Sequence, residues 1–292
     1  MSTFLAIILL AILVWLVPLY YRRWRRQHLR RKPLTAEQQE LLIGALPLYR
    51  HLSPEQQREL QANVALFLHD KEFVGCDGLR VTEPMRLAVA GFACLLLLGR
   101  ENHCYPNLYT VLMYPDTYVA RETHVENYVE STEHSAREGE AHYRGPVVLS
   151  WADLQQDMAH PENGRNVALH EFAHKLDEED GYYDGRPLFA DAGEGSNWAA
   201  VMGREFERLR RKAGAEPDGG NEPLAGEAPS ILDIYGAQSP AEFFAVATET
   251  FFVIPTGMKT FHPQLYGELC AFYRLDPHTL LRGNPPGDRY PT

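Results

Sequence analysis

The sequence predicts an α+β fold in which helices dominate, and three observations carry that reading. Leu87 to Leu98 reads LAVAGFACLLLL, apolar almost all round and flanked by Arg86 and Arg100. At that length it is a buried helix over Met85 to Leu98 rather than a membrane span. Ser53-Pro54-Glu55-Gln56 is a capping box with proline at the first helical position, so a helix runs from Pro54 to about His69. Leu108 to Met113 and Pro146 to Trp151 (PVVLSW) are short and rich in Val, Leu and aromatics, as strands are. Many helices with a few interspersed strands and no internal repeat make an α+β class.

Charge is unevenly spread along the 292 residues. The formal net charge is -11, yet residues 1–32 contain six Arg, one Lys and no Asp or Glu. The rest of the chain is therefore more acidic than the total suggests, and such a body repels phosphate backbones, which excludes nucleic acid as a direct partner. Four cysteines (Cys76, Cys94, Cys104, Cys270) form no CxxC pair, so neither a disulfide framework nor a cysteine metal site is expected. Reduced thiols suit a cytosolic compartment.

Phe4 to Tyr20 is a stretch without charge, followed by Arg22, Arg23, Arg25, Arg26, Arg30, Arg31 and Lys32. The length reaches the short limit for a spanning helix, and Trp15, Tyr20, Tyr21 and Trp24 suit an interfacial aromatic belt. A cleaved signal peptide would carry its positive charges before the apolar run. The expectation is a single-pass anchor in the inner (cytoplasmic) membrane with the body in the cytoplasm. The basic segment then sets topology and meets anionic lipid.

Chemistry concentrates in residues 167–177, VALHEFAHKLD, which contain the HExxH motif His170-Glu171-Phe172-Ala173-His174. On a helix at about 100° per residue, with His170 at zero, His174 falls at about 40°, Glu171 at about 100° and Asp177 at about -20°. Ala168, Leu169, Phe172, Ala173 and Leu176 form a contiguous apolar back. Histidines one turn apart both reach one Zn²⁺, while a carboxylate next to the first is placed to hold the attacking water and take its proton.

A catalytic zinc needs a third protein ligand. Asp180 lies six residues after His174, but the pattern it would complete needs a glycine where Asp177 stands. Glu242 and Glu249, in SPAEFFAVATE, are seven apart and share one stripe of a helix. Ser239-x-x-Glu242 is also a capping box, so periodicity leaves the two glutamates open. Asp177 is a candidate to orient a ligand histidine, or a solvated carboxylate at the helix end. Tyr235 is a candidate donor to a developing oxyanion, or a half-buried core tyrosine. PVVLSW is a candidate edge strand for an extended peptide, and equally acceptable as a core strand. Residues 214–229, rich in Gly, Pro and Glu, read as a mobile loop and a candidate gate.

With GPVVLSW, HEFAHKLD and DIYGAQSPAEFFAVATETFF in view, the chain resembles the Mlc titration factor A family of zinc peptidases over roughly residues 36–280. That family is similar in its catalytic core to the anthrax lethal factor protease, a gluzincin-like arrangement. The resemblance implies a zincin-like metallopeptidase domain in which His170 and His174 bind zinc and Glu171 is the catalytic base. It implies Glu242 as the third ligand and places Tyr235 beside the zinc as a candidate catalytic residue. It further implies aminopeptidase-type hydrolysis of peptide or protein substrates by a zinc-bound water that Glu171 activates. A regulatory alternative is sequestration of a transcriptional repressor, since one family member binds the glucose repressor Mlc. The anchor and the acidic loop 214–229 are departures from the soluble named member. The expected organisation is an anchor over 1–21, a basic linker over 22–34, the metallopeptidase domain over 35–282 and a flexible tail over 283–292.

Overall fold

The computed structural model describes residues 33–100, 104–116, 145–189, 195, 197–214 and 230–283, with isolated positions before residue 33. Helices prevail, as the sequence predicts, and most announce their own starts. Thr35 and Gln38 close a reciprocal capping box that begins α1 (Ala36–Ala45). Ser53 and Gln56 do the same for α2 (Pro54–Asp70), as expected from the motif. The apolar run forms α3 (Glu83–Leu95) and then a turn. Every residue from Leu87 to Leu98 is buried, and Gly99 in a left-handed conformation ends the element.

Among the described residues the sheet has three parallel strands in the order β1 (Glu72–Gly75), β2 (Thr110–Tyr114), β3 (Val147–Ser150). Phe73 pairs with Val111, and Val111 with Val147. The expected strands at 108–113 and 146–151 correspond to β2 and β3. Trp151 instead opens α4 (Trp151–Ala159), because the Ser150 hydroxyl accepts the Asp153 N–H and caps a helix there. β1 was not foreseen.

The HExxH segment is α5 (Val167–Asp177). Ala168, Leu169, Phe172, Ala173 and Leu176 are at most 1% exposed, so the apolar back predicted from periodicity faces the core. Phe172 packs on Phe67 and Tyr105 with ring centroids 5.6 and 5.1 Å apart. α5 also rests on α3 and β3. After α6 (Trp198–Gly214), four helices each begin with proline in the first turn: α7 (Pro240–Val253), α8 (Pro255–Phe261), α9 (Pro263–Tyr273) and α10 (Pro277–Arg282). Proline there lacks only an N–H that the helix leaves unused. α7 is buried from Phe243 to Phe252 and packs along α5, which sets the motif's polar face opposite Glu242 and Glu249.

One expectation is corrected. Among the described residues, no helix is long and apolar enough to cross a membrane, so the single-pass anchor and the inner-membrane placement are not supported. Phe4 to Tyr20 lies almost wholly outside the described residues. Most of the basic linker 22–34, the loop 214–229 beyond Gly214 and the tail after Gly283 also fall outside them. The four cysteines are free thiols.

Candidate metal centre

Local chemistry starts both helices that form the site. Asn166 caps α5, its side-chain oxygen accepting the Leu169 N–H at 2.9 Å. Ser239 caps α7 by accepting the Glu242 N–H at 3.2 Å. The competing reading of Glu242, a carboxylate folded back on its own cap, is not what forms. Its side chain crosses to α5 instead.

There three donor atoms converge. His170 Nε2 and His174 Nε2 are 3.1 Å apart, and Glu242 Oε2 lies 3.0 Å from the first and 3.4 Å from the second. Donors around a tetrahedral ion at about 2.0–2.1 Å stand about 3.3–3.4 Å from one another. The trio therefore fits a metal ion, and among the described residues it is the group of His, Cys, Asp and Glu side chains so disposed. Two imidazole nitrogens facing a carboxylate this closely also need a cation between them, whether a proton or a metal.

The other ring nitrogens are occupied. His170 Nδ1 lies 2.7 Å from Glu249 Oε1, and since an ionised carboxylate only accepts, Nδ1 carries the proton. His174 Nδ1 lies 2.9 Å from the Tyr183 hydroxyl, which in turn donates to Glu242 Oε1 at 3.4 Å. Each histidine is thereby turned with Nε2 toward the shared centre. Glu249 approaches the opposite edge of the His170 ring from the donor cluster, so the structure groups Glu242, not Glu249, with the two histidines.

Two tyrosines flank the pair. The Tyr183 ring centroid is 5.0 Å from that of His174, and Tyr235 is 5.8 Å from that of His170. Tyr235 stands in a short 3-10 turn, Ile234–Ala237, whose first N–H groups are held by Asp233, the Tyr235 N–H at 2.9 Å. It is 47% exposed, so the half-buried core reading is set aside in favour of a place beside the site. Tyr183 was missed by sequence reasoning. It sits on the loop after α5 that is pinned at Gly185, whose N–H donates to Asp177 Oδ2 at 2.9 Å and whose carbonyl accepts from Trp198 Nε1 at 3.0 Å. Asp177 thus holds this loop. It is fully buried rather than solvated, and the hydrogen bond it accepts comes from this loop. Asp180 accepts the Tyr182 N–H and stands outside the donor cluster.

Electrostatics follow from burial and these contacts. Burial alone would lower the His170 pKa, but the hydrogen bonds to Glu242 and Glu249 outweigh it and raise it to about 10. For Glu242, burial pushes upward and the two histidines pull harder, to about 2. Burial dominates at Glu171 and raises its pKa above the usual carboxylate value, despite the neighbouring imidazoles. A carboxylate destabilised as an anion is a stronger base.

Comparison with known proteins agrees with this geometry. The profile of the glucose-regulated metallo-peptidase M90 family matches residues 21–274. The chain belongs to that family. An uncharacterized protein of Synechocystis sp., slr2042, is 36% identical over 266 residues, covering 90% of this chain and 92% of the relative. Mlc titration factor A of Klebsiella pneumoniae is 31% identical over 242 residues, covering 82% and 87%. Mlc titration factor A of Escherichia fergusonii is 29% identical over 250 residues, covering 85% and 90%. The metallopeptidase fold implied by the three sequence blocks is thus the family's.

Proposed function

We propose that this M90-family chain is a zinc-dependent peptidase. The observation that carries the reading is the convergence of His170 Nε2, His174 Nε2 and Glu242 Oε2, with Glu171 one residue along the same helix. Two imidazoles and one carboxylate are a donor set that leaves a fourth position open, as catalytic zinc sites do. Zinc held by these three would polarise the scissile carbonyl and acidify water.

The chain's own residues supply the rest. Glu171 accepts a proton from the attacking water and returns it to the leaving amine, a role suited to its raised pKa. Tyr235, whose ring lies beside that of His170, offers its hydroxyl to the oxyanion, while the Tyr183 hydroxyl is engaged with His174 Nδ1 and Glu242 Oε1. Among the described residues β3 is an edge strand, and it packs on α5, a place for an extended peptide to pair. Aminopeptidase-type action on short peptides is the form of this reading that the family resemblance supports. The test is Glu171→Gln: the zinc-loaded full chain hydrolyses peptides, and the variant keeps its metal and loses activity. Hydrolysis that survives Glu171→Gln refutes the assignment.

The name of the Mlc titration factor relatives favours a second reading, a protein that sequesters a transcriptional repressor. Pull-down of a repressor that persists in Glu171→Gln and Glu242→Ala would support binding independent of catalysis. Loss of capture in both would tie it to the metal site.

A further inference from the structure

We propose that Glu249 is the positioning residue for His170 and sets the metal affinity of the site without touching the ion. The inference rests on the metal-site reading above. Glu249 lies on α7 about two turns beyond Glu242 and is 6% exposed. Its two oxygens have separate tasks. Oε1 accepts His170 Nδ1–H at 2.7 Å, and Oε2 accepts the backbone N–H of Asn166 at 2.7 Å. Asn166 is the N-cap of α5, and its side chain holds the Leu169 N–H in turn. One carboxylate therefore fixes both the imidazole and the start of the helix that carries it.

Two consequences follow. With Nδ1–H bound to a carboxylate, that proton stays on Nδ1, and Nε2, which faces His174 and Glu242, is the nitrogen that gives its lone pair to a metal ion taking the place of the proton there. Negative charge behind the ring also makes Nε2 a stronger donor. His174 lacks this support, for its Nδ1 meets the Tyr183 phenol. The two histidines are thus unequal: His170 is held by a buried anion and His174 by a half-exposed phenol. Loss of the Glu249 charge weakens the better-supported ligand.

The test measures zinc affinity of the full chain by chelator competition, for the wild type, Glu249→Gln and Glu249→Asp, with the metal-free thermal midpoint of each. Glu249→Gln is nearly isosteric and can still accept a hydrogen bond through its amide oxygen, but lacks charge. Its affinity falls about 10–100-fold. Glu249→Asp, which keeps the charge on a shorter arm, recovers part of that loss. Zinc affinity within twofold of the wild type in Glu249→Gln overturns the proposal, as does a lowered metal-free midpoint with unchanged affinity, which marks a structural role alone. If Glu249→Gln does not fold, Glu249→Asp decides by the same criterion. A wild type that binds no zinc overturns the underlying site reading, and the wild-type control separates that failure from failure of the Glu249 assignment.

Discussion

Asp177 links the HExxH helix to the loop that carries Tyr183, and its ionisation has a measurable cost. Burial raises its pKa from 3.8 to about 6, against the opposing hydrogen bond from the Gly185 N–H and with repulsion from Asp184. Oδ1 is buried without a hydrogen-bond partner. At 1.36 kcal/mol per pH unit, the anion costs the folded state about 3 kcal/mol at neutral pH. The folded-state pKa lies above the unfolded one, so the folded chain binds more protons between 3.8 and about 6. Stability from this group therefore falls as pH rises through that window and is level above it. Asp177→Asn removes the titration and leaves an oxygen for the Gly185 N–H. Its stability relative to the wild type depends on how the new amide is satisfied, but that offset does not vary with pH. The wild type should gain about 2 kcal/mol on the variant between pH 7 and pH 4.5, read by urea denaturation of both proteins under the same metal conditions. Other titrating groups are common to both and cancel in the difference. A difference that stays constant across this range refutes the raised pKa and the buried-anion reading of Asp177.

Phe172→Ala removes a fully buried ring from between Phe67 and Tyr105, and should lower unfolding free energy by about 3–5 kcal/mol in urea melts. Gly185→Ala meets two obstacles: φ is +73°, and a Cβ would stand 2.4 Å from the Pro240 carbonyl oxygen. It should cost at least about 1–3 kcal/mol and, by displacing the Tyr183 loop, weaken zinc binding in chelator competition. Alanine tolerated there without loss of stability or affinity would mean that the loop is not held as described.

How far the sequence could be read depended on how local each cause was. The bifacial character of α5 is legible because helical periodicity acts within eleven residues, and the burial of Phe172 and Leu176 follows it. The Ser53 and Gln56 capping box is equally local. Glu242 was different. Periodicity on α7 put it and Glu249 on one stripe, and only the family resemblance separated them. The packing of α7 along α5 decides which edge of the His170 ring each carboxylate meets, and that packing is a tertiary fact. Tyr183 left no signal beyond two flanking glycines, because Asp177, Trp198 and Pro240 shape its loop from distant positions. β1 has four residues with only Phe73 and Val74 large and apolar, too short for alternation to show. The membrane expectation rested on composition of a segment that lies largely outside the described residues, and no described helix supports it.

In the proposed site His170, His174 and Glu242 together hold one zinc ion. X-ray absorption at the zinc edge, on the zinc-loaded full chain and on Glu242→Ala, tests it most directly. One zinc per chain with two imidazoles and one carboxylate is expected in the wild type, and loss of the carboxylate scatterer with weakened retention in the variant. An unchanged zinc environment in Glu242→Ala, or one that lacks the two imidazoles in the wild type, would contradict it.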